Sequence, residues 1–192
     1  MATIMNTKTQ GLTAEDNHLA REARTDVDAF AELYRRHVTR VYRYHMAHTG
    51  NVRDAEDLTS QTFTAALESI RSFRGDGSFA AWILGIAIRK KAMFFRSGKP
   101  EVQLDAALHI PTPQFATDKL AYQRIRLESI IRALGQISRD RAEAISLCFF
   151  GGLTSLETSR VLNKTEAAVK MLVSRGLQDL RERTSLRMEV EE

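Results

Sequence analysis

The chain has 192 residues, of which 43% are hydrophobic and 27% are charged. These fractions are typical of a globular protein and exclude a disordered or fibrous one. Lysine and arginine number 28 against 24 aspartates and glutamates, so the formal net charge is +4, an excess too small to identify a nucleic-acid partner by itself.

The N-terminal segment and the cysteine content predict a cytoplasmic protein. Residues 1–17 lack the basic start and apolar stretch of a signal peptide. No apolar run approaches the roughly 20 residues that cross a bilayer, so no membrane insertion is expected. The single cysteine, Cys148, excludes an intramolecular disulfide, and its apolar neighbours predict a buried thiol.

Two helices with apolar stripes are predicted first. One covers about 27–48 and ends at Gly50, and the next is capped by Asn51 and runs to Ile70, with apolar residues at three- and four-residue steps. The side chains predicted to pack together are Phe30, Leu33, Tyr34, Val38 and Val41 in the first helix, and Ala55, Leu58, Thr59, Thr62, Phe63, Ala66, Leu67 and Ile70 in the second.

A loop, 74–77, leads to Ser78, which is predicted to cap a third helix from Phe79 to Arg96. This helix is apolar all round, with Trp82, Ile83, Ile86, Met93 and Phe94 on one face and Leu84, Ile88 and Phe95 on the other. Such a helix is normally covered on more than one side. Either the first two helices sandwich it, or an outside partner covers part of it.

The three prolines, Pro100, Pro111 and Pro113, fall in one short segment through which a helix cannot run. A flexible linker is therefore predicted at 98–118. It separates two small helical domains, 25–97 and 119–186. The ends of the chain, 1–24 and 187–192, are predicted to be tails.

The second domain is predicted to contain helices at 119–135 and 139–150, followed by two helices with helix-turn-helix spacing. Thr154 and Glu157 match a capping box for the first of this pair, which ends near Leu162. Thr165 can cap the last helix, 166–183. No strand pattern occurs in the sequence, so the predicted fold class is all-α.

The last helix has one face suited to packing, with Val169, Val173, Gly176, Leu177 and Leu180, and one suited to DNA, with Ala168, Lys170, Met171, Ser174, Arg175 and Gln178. Small and polar side chains can reach base edges in a major groove, while lysine and arginine pair with phosphates. The alternative is an ordinary helical hairpin with a solvated polar face.

Charge is segregated in the first domain. Residues 54–70 include four acidic side chains and no basic one, whereas 71–99 include seven basic side chains and one acidic one. The basic stretch also carries five aromatic residues, and aromatic rings beside cations suit single-stranded DNA, on which bases stack. Core packing remains the alternative for most of these rings.

No catalytic or metal site is predicted. His37, His45 and His48 lack a nearby cysteine or carboxylates at ligand spacing, and no phosphate-binding loop or nucleophile elbow occurs. We therefore expect a protein that is not an enzyme and that needs no cofactor.

Two motif sets, in this order, resemble the extracytoplasmic-function (ECF) sigma factors of bacterial RNA polymerase. The run 54–63 (DAEDLTSQTF), with Phe73-Arg74-Gly75 and 78–83 (SFAAWI), resembles sigma domain 2, and 133–180 resembles sigma domain 4. The family implies an alternative sigma factor that binds core polymerase and directs promoter-specific initiation. An anti-sigma factor is a further candidate partner.

The resemblance also implies site residues. Core polymerase would contact Asp54, Glu56, Asp57 and Gln61. The melted minus-ten strand, with a base flipped from the stack, would contact Arg74, Gly75, Ser78, Phe79, Trp82, Arg89 and Lys90. The minus-35 duplex would contact Thr165, Ala168, Lys170, Met171, Ser174 and Arg175.

The sequence departs from the family at Ile88-Arg89, where an Arg-Asn pair is usual, and at Met171-Leu172, where Ser and Arg are common. These departures bear on promoter preference. The main alternative function is a conventional helix-turn-helix regulator that binds duplex DNA without polymerase. A second is a helical scaffold or enzyme that contains a DNA-binding-like hairpin, although no catalytic constellation supports it.

Overall fold

The computed structural model describes residues 13–98 and 128–188, with side chains described as far as Arg183. Within these ranges the chain forms helices and connecting turns without a strand, which confirms the predicted all-α fold class. The helices are α1 (13–22), α2 (Val27–Thr49), α3 (Val52–Ser69), α4 (Phe79–Arg96), α5 (128–136), α6 (Arg139–Ile145), α7 (Ser155–Leu162) and α8 (Glu166–Met188). A 3-10 turn, Ile70–Ser72, follows α3, and a π-helical turn, Ser146–Phe150, continues α6.

The predicted N-terminal caps are all present. Asn51 accepts a hydrogen bond from the amide of Asp54 at 3.2 Å, and Ser78 accepts one from the amide of Ala81 at 3.2 Å. Thr154 and Glu157 form the reciprocal capping box. These bonds satisfy amides that a helix start leaves without an intrahelical acceptor, so the helix starts could be read from local sequence.

The turn between α7 and α8 is set by Asn163, which has φ 51° and ψ 47° in the left-handed region. Asparagine tolerates this conformation better than most residues, so it can end α7 and redirect the chain within a few residues. Thr165 then accepts a hydrogen bond from the amide of Ala168 at 3.2 Å. The predicted helix-turn-helix geometry follows, and α8 continues beyond its predicted end at Arg183 to Met188.

The first correction concerns the N-terminal tail. Residues 13–22, predicted to be part of a flexible tail that ends at 24, form α1. Ala20 and Ala23 are buried against the first domain. Small apolar residues in a short polar segment carry a weak periodic signal, so the docking of α1 could not be inferred from its own sequence.

The second correction concerns what covers α4. Leu84 and Phe79 lie in one apolar cluster with Leu147 and Leu153 from the second domain. At Gly151 a side chain could not be accommodated, because a Cβ there would lie 2.8 Å from both Leu84 Cδ1 and the Leu147 carbonyl oxygen. The first two helices of the domain, α2 and α3, pack on α4 as one of the two predictions expected, and the second domain of the same chain covers a further part of it, which neither prediction included.

Two further apolar clusters join the same halves of the chain. One packs Ala47 of α2 against Leu134, Ile137 and Ile145, and the other packs Met46 and Ala55 against Ile131. We call this packing of 128–183 on 13–98 the closed arrangement. The predicted linker, from residue 99 onward, and the start of the predicted helix 119–135 lie outside the described residues.

Some residues predicted to be buried are exposed. Tyr34 is 44% exposed and Leu67 46%, and Met93 and Leu177 are also exposed. Leu67 and Leu177 lie at the border of their apolar stripes, where the periodic pattern does not show how far the neighbouring helix reaches. Cys148 is half-buried, and its thiol lies 3.4 Å from the Thr158 hydroxyl.

Candidate protein-binding and nucleic-acid-binding surfaces

The acidic surface lies on the outer face of α3. Glu56, Asp57 and Gln61 are exposed and Asp54 is partly exposed, while Leu58 and other residues of α3 are buried where the helix packs on α2 and α4. Within the described ranges none of these three carboxylates forms an ion pair. The four residues predicted to bind polymerase are thus brought together on one helix and can meet a basic partner.

An apolar groove adjoins this surface. It lies between α2 and α3, has a volume of about 550 Å³, and is lined by Phe30, Tyr34, Phe63, Leu67 and Glu56, among others. The Tyr34 and Phe63 rings meet edge-on, with their centroids 4.7 Å apart. A partner that bound the acidic residues could therefore also bury apolar surface here.

The loop between α3 and α4 exposes Arg74 and Gly75. Gly75 has φ 82°, a conformation that favours glycine, and no atom lies within 4 Å of the position of a Cβ. The loop is open on its outer side. An exposed arginine beside an unobstructed backbone is an arrangement that a phosphate or an unstacked base can approach.

Two residues predicted to bind the melted strand are buried instead. Phe79 is 0% exposed and lies in the core, with its ring 5.5 Å from that of Trp82 and 5.8 Å from that of Phe73. Ser78 is also buried, and its hydroxyl donates a hydrogen bond to Glu157 of α7 in the second domain. The buried position of Phe79 does not favour the predicted direct contact with DNA. Its ring instead packs against the half-buried ring of Trp82.

Further along α4, Trp82 is half-buried, Arg89 is exposed and Lys90 is partly exposed. Lys91 belongs to the same basic stretch of sequence, but it is only 5% exposed and faces the opposite way. A run of adjacent cations on a helix necessarily divides between faces, since successive residues are about 100° apart. Lys91 is thus not available to phosphates in the closed arrangement.

Lys91 belongs to a buried polar cluster that joins the two domains. Its ammonium donates to the Glu143 carboxylate of α6, which also accepts a hydrogen bond from the Tyr44 hydroxyl at 2.6 Å. Glu143 is only 8% exposed and Tyr44 is fully buried. The His48 Nε2 atom lies 3.3 Å from the Lys91 ammonium. We call these four residues the interdomain cluster.

Burial controls the protonation of the interdomain cluster. It lowers the pKa of Lys91, an effect that the Glu143 carboxylate opposes, and it raises the pKa of Tyr44 well above its usual value. Burial, together with repulsion from Lys91, also holds the pKa of His48 well below its usual value. His48 is therefore neutral, and the cluster consists of one ion pair with two neutral neighbours.

The sequence contained a signal for this cluster that pattern reading missed. Glu143 stands in a helix whose following residues, Ala144 to Leu147, are buried, and Lys91 stands in a helix that is apolar on both faces. Ionisable residues on the buried side of such helices are rarely without a partner. Each therefore called for an opposite charge, although the sequence could not identify which one.

The outer face of α8 carries the residues predicted to bind minus-35 DNA. Thr165, Lys170, Met171, Ser174 and Arg175 are exposed, and Ala168 is partly exposed. Lys170 pairs with Glu166 at 2.7 Å, but both side chains are largely open to solvent, so a phosphate can replace this contact at little cost.

The inner face of α8, where Val169 and Gly176 are buried, packs on α6 and α7. A Cβ at Gly176 would lie 2.6 Å from Ile145 Cδ1, and Arg141 pairs with Asp179 at 2.5 Å. This close approach orients α8, so that its polar face points away from the rest of the second domain.

Neither a metal site nor a membrane span was found in the described part of the chain. No group of three or more His, Cys, Asp or Glu residues could hold a metal ion there. His37 lies instead beside Asp16 and His45 beside Thr62. Among the described residues, no helix combines the length and apolarity that crossing a membrane requires.

Comparison with known families gives two matches in chain order. Residues 33–100 match sigma-70 region 2 and residues 127–180 match sigma-70 region 4. Between them the matches cover more than half of the chain. The chain belongs to the sigma-70 family. The first match contains α3, α4 and the intervening loop, and the second contains the helix-turn-helix.

Curated relatives place this sigma-70 family member in the ECF group. It is 32% identical over 158 residues to the ECF sigma factor BldN of Streptomyces coelicolor, a match that covers 81% of this chain and 60% of BldN. It is 27% identical over 165 residues to SigX of Bacillus subtilis, covering 83% and 85% of the two chains. The chain thus spans less than two thirds of BldN but most of SigX.

Two solved structures share the fold. CnrH, solved in complex with the cytosolic domain of CnrY, aligns with a TM-score of 0.69 and 22% identity over 92% of this chain and 99% of CnrH. RpoE of Bartonella quintana, solved with the anti-sigma factor NepR, aligns with a TM-score of 0.62 and 19% identity over 81% and 96% of the two chains. At these identities the likeness concerns the fold alone.

Proposed function

We propose that this protein is an alternative sigma factor that binds core RNA polymerase and directs it to specific promoters, without catalytic activity of its own. The observation that carries the proposal is the presence, in one chain, of both sigma regions in the family order, each with its predicted contact residues largely on an exposed face. As a polymerase subunit it would act in the cytoplasm.

The polymerase-binding surface in this proposal is the outer face of α3, with Asp54, Glu56, Asp57 and Gln61. Unpaired carboxylates attract a basic partner and orient it, while burial of the adjacent groove contributes affinity. In the ECF family the partner at this position is the pair of clamp helices of the largest polymerase subunit. The combination of exposed acid and apolar groove supports this assignment.

The minus-ten surface consists of the loop with Arg74 and Gly75, together with Trp82, Arg89 and Lys90 on α4. Cations bind the backbone of a melted strand, and an open loop leaves space for an unstacked base. Ser78 contributes by capping α4, and Phe79 contributes by packing against Trp82.

The minus-35 surface is the outer face of α8, which would enter the major groove of intact duplex.

Binding both promoter elements requires the closed arrangement to open. Ser78, at the end of the minus-ten loop, contacts Glu157 in α7 of the helix-turn-helix. The two promoter elements are separated by more than one DNA turn, about 34 Å, and the predicted linker of some 21 residues could extend to about 70 Å. We therefore propose that the closed arrangement is an inactive form of the free protein, which an anti-sigma factor could maintain.

The proposal is tested by initiation in vitro. The full-length protein, mixed with core polymerase and a library of candidate promoters, is expected to support specific initiation that depends on its presence. Sequence-specific binding to duplex DNA without polymerase, and no initiation with it, would instead identify a conventional helix-turn-helix regulator.

We predict that Lys170→Ala and Arg175→Ala each weaken binding to upstream duplex and reduce its salt dependence. A plot of log affinity against log salt concentration has a negative slope, and each lost phosphate contact should make that slope less steep by about 1. The measurement is a salt titration of holoenzyme on duplex that carries the upstream element. Gln136→Ala, an exposed change on α5, is the control, and an unchanged slope in both variants would show that α8 faces elsewhere.

A further inference from the structure

The segment 13–24, made of α1 and the turn after it, lies outside the matched sigma regions, which begin at residue 33, yet it contacts both ends of the minus-ten loop. The Asn17 amide nitrogen donates to the Gly77 carbonyl at 2.8 Å, and the Asn17 amide oxygen accepts from the Phe79 N–H at 3.1 Å. At the other end, Arg24, just beyond α1, donates to the Phe73 carbonyl at 2.6 Å. The loop is thus bounded by bonds to one N-terminal segment.

The two bonds of Asn17 meet specific needs of the loop. Phe79 is the first residue of α4, so its N–H has no acceptor within the helix. Gly77 lies on the other side of the Ser78 cap, and its carbonyl has the Asn17 amide as a donor. One primary amide satisfies a donor and an acceptor two residues apart, a task for which a carboxamide has both groups.

The position of α1 is itself well determined. The Asp16 carboxylate is 2.9 Å from the buried His37 Nε2 and 3.0 Å from the Arg36 guanidinium. Burial opposes ionisation of Asp16, but the hydrogen bonds from His37 and Arg36 prevail and lower its pKa. With Ala20 fully buried, α1 is attached to α2 on one side and to the loop on the other.

We propose that Asn17 is a positioning residue for capture of the melted minus-ten strand, an inference that rests on the proposed role of the loop. Gly75 and Gly77 have open space around them and give the loop conformational freedom, which must be lost when a base is held. Asn17 fixes the carbonyl of Gly77 and the start of α4. Part of the loop's conformational entropy is therefore lost when the protein folds, and less remains to be lost when the strand binds.

The test compares full-length Asn17→Ala with wild type and with His18→Ala. His18 is the next residue of α1, and within the described part of the chain its ring lies beside Glu22 in a solvent-exposed pair. The holoenzyme is assembled with core polymerase. The probe is a fluorescent single-stranded oligonucleotide that carries the non-template minus-ten sequence of a promoter found by the initiation assay. Hydrogen exchange of the amides at 73–79 is measured on the free protein.

We expect Asn17→Ala to speed exchange in the loop and to weaken oligonucleotide binding about tenfold, the effect of losing roughly one net hydrogen bond, with core polymerase affinity unchanged. Asn17→Asp keeps the acceptor for the Phe79 N–H but turns a carboxylate oxygen toward the Gly77 carbonyl oxygen and adds a negative charge beside the loop, so its oligonucleotide affinity should be no higher than that of Asn17→Ala. His18→Ala should match wild type in every measurement. A purely structural role would lower polymerase affinity in parallel.

Unchanged loop exchange in Asn17→Ala would overturn the inference. Faster loop exchange in Asn17→Ala with unchanged oligonucleotide affinity would also overturn it, if Arg74→Ala does weaken binding. The order of the loop would then not matter for capture of the strand. If Arg74→Ala and Trp82→Ala also bind the oligonucleotide normally, the proposed minus-ten role of the loop is wrong, and the inference fails with it. The Arg74 variant thus distinguishes the two failures.

Discussion

Replacement of Glu143 by alanine is expected to destabilise the closed arrangement by about 3–5 kcal/mol, because it leaves the Lys91 ammonium buried without its opposite charge. The Tyr44 hydroxyl loses its acceptor in the same change. The protein can relieve this cost by separating its domains, which would expose Lys91 to water. We therefore expect a lower midpoint in urea and a larger radius of gyration by small-angle X-ray scattering.

Matched variants separate this effect from general damage to α6. Asp140→Ala, on the same helix, removes an exposed pair with Lys164 and should change the free energy of unfolding by less than about 1 kcal/mol. Lys91→Met combined with Glu143→Leu removes both charges and should restore much of the lost stability. Native dimensions and an unchanged urea midpoint in Glu143→Ala would contradict the assigned role of the interdomain cluster.

Asp57→Arg is expected to weaken binding to core polymerase by more than about a hundredfold, since like charges in an interface cost several kcal/mol. Asp57 is exposed on the outer face of α3 and caps no helix. Its reversal should therefore leave the helical circular dichroism spectrum and the urea midpoint unchanged. Affinity is measured by competition with the wild-type protein for core enzyme.

The control for charge alone is Glu22→Arg, which reverses an exposed carboxylate on α1 whose ion-pair partner among the described residues is the exposed His18. It should retain wild-type polymerase affinity. If Asp57→Arg binds polymerase as well as Glu22→Arg does, the acidic face of α3 is not the polymerase-binding surface, whatever the outcome for the DNA-binding residues.

The closed arrangement links these two predictions. Polymerase is proposed to bind α3, whereas the interdomain cluster joins α2 and α4 to α6. The two surfaces are formed by different residues, so Glu143→Ala should not remove polymerase contacts. Because promoter binding is proposed to require opening, a larger fraction of Glu143→Ala than of wild-type molecules should have the two DNA-binding surfaces separated.

Local sequence predicted the helix starts and the helix-turn-helix because these depend on short-range interactions. A Ser, Thr or Asn at an N-terminal cap, a Glu three residues into the helix, and an asparagine at a left-handed position act within one turn. Asn51, Ser78, Thr154 and Thr165 all behave as their sequence neighbours predict.

Contacts between distant parts of the chain were not predictable in this way. The docking of α1, the cover that the second domain provides for α4, and the pairing of Lys91 with Glu143 all join residues far apart in the sequence, from 20 positions for Asp16 and Arg36 to 60 for Asn17 and Gly77. Periodicity shows that a helix has an apolar face or carries an isolated charge, but it does not show which element meets that face.

The sequence by itself determined the fold class, the sigma family and the positions of the three helices proposed to make contacts, α3, α4 and α8, because local patterns and ordered motifs carry that information. The tertiary structure decided which residues of those helices are accessible. Phe79 and Lys91 belong to a stretch that looks suited to DNA, yet both are buried. The physical reason is that burial depends on the packing of the whole chain, and here the second domain closes on the first.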